Sequence, residues 1–178
     1  MMTTENKNIL FATDMSNDCR DAYAYALNLA TKCDGRITLL HVIESQPTSL
    51  ENRIKNLFGE DRYEEIMREH ESDARSILIG KRKESDLVKT ALSKLTDDFS
   101  GRRPEGSLQE DKILVKKGDV VEEIIATANE EECDLIILSS HASSPNESFV
   151  SKKMQDVIRL SKAPVTVVPP SGIGIVEL

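Results

Sequence analysis

At 178 residues with 39% hydrophobic content, the chain has the length and apolar material for one globular domain with a real core, which excludes a disordered polymer. No apolar run approaches the ~20 residues of a membrane-spanning helix. The formal charge of −8 excludes broad, salt-sensitive attraction to nucleic acid or anionic membranes, although a small anion could still be held locally.

In chain order, the opening "MMTTENKNIL" shows no basic segment followed by a long apolar one, so no signal peptide is expected and the expected location is cytoplasmic. "KNILFAT" (7–13) is the first short, continuous apolar run, of the kind that forms a strand covered on both faces. A helix is predicted from Asp18 to Cys33, with Ala22, Ala26, Leu29 and Ala30 on one stripe and Asp34-Gly35 as its stop. "RITLLHVI" (36–43) is the second strand. Residues 45–110 form an irregular helical insertion. A first piece carries Leu50, Ile54, Leu57 and Phe58 and ends at Gly59; two helices or one broken helix are expected in all, followed by a surface loop, "SGRRPEGSLQED". Charges of both signs alternate through 60–86, as on a solvated helix face.

"DKILVKK" (111–117) is the third strand. Gly118-Asp119 opens a helix with Val120, Ile124, Ile125 and Ala128 on one face, and Asp119 has N-cap spacing to Glu122. "CDLIILSS" (133–140) is the fourth strand. Val150, Met154, Val157 and Ile158 mark a last helix, and "APVTVVP" (163–169) is the fifth strand. This alternation of strands and helices predicts a single doubly wound α/β domain over 1–178, with residues 170–178 as a tail.

The carboxyl ends of such strands are where ligands sit. Asp14 follows the first strand and could meet a ribose hydroxyl or a metal; alternatively Asp14 or Ser16 caps the next helix. His41, inside the second strand, reads as a hydrogen-bonded core histidine. His141 follows the fourth strand and could contact phosphate, act as a base or sense pH, but no second catalytic partner is identifiable by spacing. Ser144-Pro145-Asn146-Glu147 fits a capping box that would place Glu147 at a positive helix end, in competition with an anionic ligand. There is no G-x-G-x-x-G after the first strand and no G-x-x-x-x-G-K-[ST]. The positions of a phosphoacceptor aspartate and a receiver-type lysine hold "KKGD" and "VVPP". Cys19, Cys33 and Cys133 form no C-x-x-C pair and are expected to be reduced and structural.

Taken together, "ILFATDMS", "ITLLHVIE", "VKKGDVVEEIIATANEEECDLIILSSH" and "APVTVV" resemble the universal stress protein family over 7–44 and 111–169. The fold expected with that family is a five-stranded parallel sheet of order 3-2-1-4-5, with helices on both faces and the long insertion after the second strand. Its nucleotide-binding members carry Gly-x-x-Gly, nine residues, then Gly-Ser/Thr around the fourth strand's end, where glycines wrap the phosphates of ATP. The resemblance carries over to Asp14 and Val42 as ribose and adenine neighbours, and His141 falls inside the first glycine pair. The glycine positions fall on Ser139 and Ala142, beside Ser140, and the Gly-Ser position on Lys152-Lys153 or Ser151-Lys152. A Cβ there obstructs close approach of the backbone. The expected function is therefore a regulatory or interaction protein of the stress response, not an enzyme, without a bound cofactor. The alternative is an adenine-nucleotide sensor or weak ATPase using Asp14, Val42, Ser140 and His141 with ATP and magnesium, in which lysines partly replace the missing glycines.

"PVTVV" would lie at a sheet edge, which invites pairing with another chain. In the family this strand pairs with its twin, so Val165, Val167 and Val168 are the expected homodimer contact, unless the tail "PSGIGIVEL" covers the edge. An unidentified protein partner is also expected.

Overall fold

The computed structural model describes residues 7–44, 50–74, 82–102, 111–140 and 150–169. Five strands, β1 (Asn8–Ala12), β2 (Arg36–Ile43), β3 (Lys112–Lys117), β4 (Leu135–Ser139) and β5 (Val165–Val168), form one sheet of order β3-β2-β1-β4-β5, every pair parallel. This is the predicted order. β1, β2 and β4 are the most completely covered strands because α/β crossovers place helices on both sides of them.

Alternation along the strands divides the interior in two. Ile9 and Phe11 of β1 face one core, with α1 (Cys19–Cys33); Leu10 and Ala12 face the other, with α5 (Val120–Glu130) and α6 (Lys152–Leu160). The insertion contributes three helices among the described residues, α2 (Leu50–Phe58), α3 (Glu60–Ala74) and α4 (Arg82–Asp98), more than the expected one or two. α2 and α3 part at Gly59, whose φ of +84° suits glycine. Ile54, Leu57, Ile66, Val88, Leu92 and Leu95 are all buried in the α1-side core, so the insertion is a structural layer of the domain. Most of the predicted surface loop and all of the tail lie outside the described residues.

Local signals explain the element ends. α1 stops at Asp34, in the left-handed region at φ +49°, and the next N–H, on Gly35, reaches back to the Ala30 carbonyl at 2.8 Å. Asp119 caps α5 by accepting from the N–H groups of Val121 and Glu122 at 2.9 and 3.0 Å. Asp134 accepts from the N–H groups of Lys7 and Asn8, at the sheet end opposite the crevice described next. Among the described residues, no helix is long and apolar enough to cross a membrane.

Candidate functional site

Beyond the carboxyl ends of β1, β2 and β4, where the sheet order reverses direction, lies a cavity of about 290 Å³. Its floor is apolar: Ala12, Leu40, Val42 and Leu138 from the strands, with Val120, Ile124, Met154 and Val157 from α5 and α6. Its polar lining comprises Thr13, Asp14, His41, Glu44, Arg53, Ser139, Ser151 and Lys153. Aromatic-free apolar walls with a few convergent polar groups are the makings of a small-molecule site.

The loop after β1 is tightly fixed. Thr13 donates its N–H to the Leu40 carbonyl at 2.9 Å, and its hydroxyl accepts from Met15 N–H at 3.0 Å. Asp14 Oδ1 accepts from Ser16 N–H at 2.9 Å. Between them Met15 is fully buried at φ +60°, a left-handed conformation costly for a side chain of its size. Asp18, not Asp14 or Ser16, stands at the N-cap of α1, and its side chain makes no capping bond. Asp14 is thus held at the cavity by a turn of its own, outside the capping of α1.

His41 is 3% exposed, with Nδ1 2.8 Å from the Thr13 carbonyl. A carbonyl only accepts, so Nδ1 carries the proton and Nε2 is the acceptor of a neutral ring. Burial is the main reason its pKa lies below the ordinary value of 6.5, and the charge of Arg53 adds to it; Thr13, Asp14 and Glu84 pull the other way. Cys19 and Cys133 are poor nucleophiles here. Burial pushes the Cys19 thiol up to about 12 and the Cys133 thiol to about 11.

Of the residues singled out in the sequence, Asp14, His41, Val42, Ser139, Ser151 and Lys153 line this cavity. Ser139 is 5% exposed, and its Oγ is buried without a hydrogen-bond partner among the described residues. Ser140 is fully buried behind it, its N–H bonded to the Val168 carbonyl. His141, Ala142 and the Ser144–Glu147 capping box lie outside the described residues. The box does not open α6, however. That helix begins at Lys152, and its N-cap is Ser151, whose hydroxyl accepts from Met154 N–H at 3.3 Å. Val150 lies before the helix, and Met154 occupies the third helical position assigned to Glu147. Two serines with capping potential precede the same apolar stripe, and the one nearer to Met154 and Val157 is the cap. The first turn of α6 therefore contains no acid and two lysines.

Arg53 and Glu44 were not foreseen. Arg53 precedes Ile54 on α2, and the burial of Ile54 brings it to a crevice built from strands far away in sequence. Glu44 directly follows β2, and that position is its only sequence signal. Its Oε1 lies 2.5 Å from Lys153 Nζ. Among the described residues, no cluster of three or more His, Cys, Asp or Glu is placed to hold a metal.

The sequence matches the model of the universal stress protein family over residues 5–169. No curated protein matches it. Among solved structures it is similar to the hypothetical protein MJ0577, at 25% identity and a TM-score of 0.55 over 93% of this chain and 96% of that one. It is also similar to universal stress protein UspA from Lactobacillus plantarum, at 19% identity and a TM-score of 0.58 over 92% and 97%. A universal stress protein solved in complex with cAMP is 12% identical, with a TM-score of 0.58 over the same shares of the two chains.

Proposed function

The chain belongs to the universal stress protein family, and we propose that within it this protein is a regulatory component without turnover of its own, acting through protein partners and as a homodimer, with a crevice that does not take ATP. One observation carries this reading. At the strand end and helix start where a phosphate cradle needs glycine, the cavity is walled by Ser139 and Ser151. Each adds a Cβ, and each disfavours the positive φ values that let successive N–H groups turn toward an anion. The Ser151 hydroxyl is already engaged as the cap of α6. The test is nucleotide content after mild purification, followed by calorimetric titration with ATP and Mg²⁺. No micromolar binding is expected; low-micromolar binding abolished by Asp14→Ala overturns the reading.

A second reading is a sensor of a smaller adenine nucleotide, using Asp14 and Val42. It is favoured by Asp14 and Val42 lining the same cavity, whose size lies at the lower end of the roughly 300–1,000 Å³ usual for ligand pockets. The fold itself accepts a nucleotide with one phosphate in the structural neighbour solved with cAMP. Titration with adenosine and its monophosphate tests it, and absence of binding by both overturns it.

A further inference from the structure

We propose that Arg53 and Lys153 form a side-chain grip for the single phosphate of a nucleoside monophosphate, and that Glu44 occupies Lys153 while the crevice is empty. The proposal rests on the second reading above and names how the crevice would select its ligand. The two cations come from different elements, α2 and α6, yet line one cavity with Asp14 and Val42. Arg53 is carried on a helix whose Ile54 and Leu57 are buried in the core, so its backbone is anchored at the crevice rim. Lys153 lies in the first turn of α6, where the helix dipole is already positive. Lys152 lies beside it, and no acid offsets the pair within that turn. Such an arrangement opposes helix stability and favours an anion.

Lys153 already holds a carboxylate of this chain. The Glu44 carboxylate meets Lys153 Nζ at 2.5 Å, standing in for the oxygen of a ligand. The side chains of this pair are 52% and 40% exposed, so water and salt screen it and it is readily exchanged. A phosphate monoester offers three acceptor oxygens and more charge than a carboxylate, and it would take Lys153 from Glu44. Arg53 supplies a planar fork that suits the same group. The limit to one phosphate follows from charge and size. Among the described lining residues two cations, Arg53 and Lys153, stand against Asp14 and Glu44, so each phosphate beyond the first adds repulsion in a small cavity.

The experiment is calorimetric titration of the full chain with adenosine 5′-monophosphate, adenosine, ATP and inorganic phosphate. The wild type is expected to bind the monophosphate about tenfold or more tightly than adenosine, and more tightly than ATP or free phosphate. Lys153→Met and Arg53→Met should each erase most of that advantage, weakening the monophosphate far more than adenosine. Glu44→Gln should tighten the monophosphate several-fold by releasing Lys153. Monophosphate affinity unaltered in both cation variants overturns the grip while leaving the crevice reading intact, as does tighter binding of ATP or equal binding of free phosphate. Weaker monophosphate binding by Glu44→Gln overturns the role given to Glu44. Failure of both adenosine and its monophosphate to bind overturns the grip and the crevice reading together.

Discussion

His41 Nδ1 lies 2.8 Å from the Thr13 carbonyl, joining the middle of β2 to the loop that presents Asp14. The bond fixes a neutral ring, and burial holds its pKa below 6.5 in the folded state. The unfolded chain therefore binds the proton at a higher pH than the folded one. The neutral ring's contribution to stability is complete above the ordinary histidine value and is lost as pH falls from there toward the lower folded value. His41→Asn retains a donor near Nδ1 and has nothing to titrate. Urea midpoints at about pH 7 and about pH 5 should fall further for wild type than for His41→Asn. Equal falls would sink this account.

Asp98 ties the insertion to α1. Its carboxylate accepts from Arg20 at 2.7 Å and from both terminal nitrogens of Arg62 at 2.8 Å, while both guanidiniums lie over the Phe58 ring. The Arg62 hydrogen bond, then that from Arg20, holds the carboxyl below its ordinary value of 3.8. That contribution is present above this value and is lost as pH falls below it, well under the window of His41. Asp98→Ala should lower stability by about 1–2 kcal/mol at neutral pH, a charged hydrogen-bond cluster discounted for its partly exposed arginines. Chemical denaturation measures it, and a change within about 0.5 kcal/mol would show the cluster to be inconsequential.

These two relationships mark how far the sequence could be read. The three inner strands, β1, β2 and β4, were legible because each is a short apolar run covered on both faces, while β3 and β5 at the edges are only partly buried. α5 was legible because Gly118-Asp119 states its own start. The beginning of α6 was not, since Ser144 and Ser151 both have capping chemistry and tertiary packing of Met154 and Val157 chose between them. Arg53 was hidden for a different reason. Its stripe neighbours Ile54 and Leu57 showed that α2 packs, but which surface it packs on depends on contacts remote in sequence.

The Gly118-Asp119 pair divides its work between backbone and side chain. Gly118 has φ +154°, and a Cβ there would meet Glu123 Oε1 at 3.0 Å. Asp119 supplies the cap bonds to Val121 and Glu122. Asp119→Ala should cost about 1 kcal/mol, and Asp119→Asn only a fraction of that, because asparagine keeps the accepting oxygen. Thermal melts of the two variants check the ranking; equal losses would place the effect elsewhere than the cap.

β5 offers the sharpest test of the proposed dimer. The Ile136 and Ser140 N–H groups bond to the carbonyls of Pro164 and Val168, so even-numbered positions of β5 face β4. By the period of a strand, the backbone groups of Val165 and Val167 face the outer side, which has no partner strand among the described residues. On the preceding helix, Ile158 and Leu160 remain 48% and 49% exposed. Proline at 167 removes an outward N–H without removing a bond to β4, which edge strands tolerate. Wild type is expected to be a dimer by light scattering at micromolar concentration, and Val167→Pro a folded monomer with a nearly unchanged far-ultraviolet spectrum. A monomeric wild type, or a Val167→Pro variant that remains dimeric, would move the interface away from this strand.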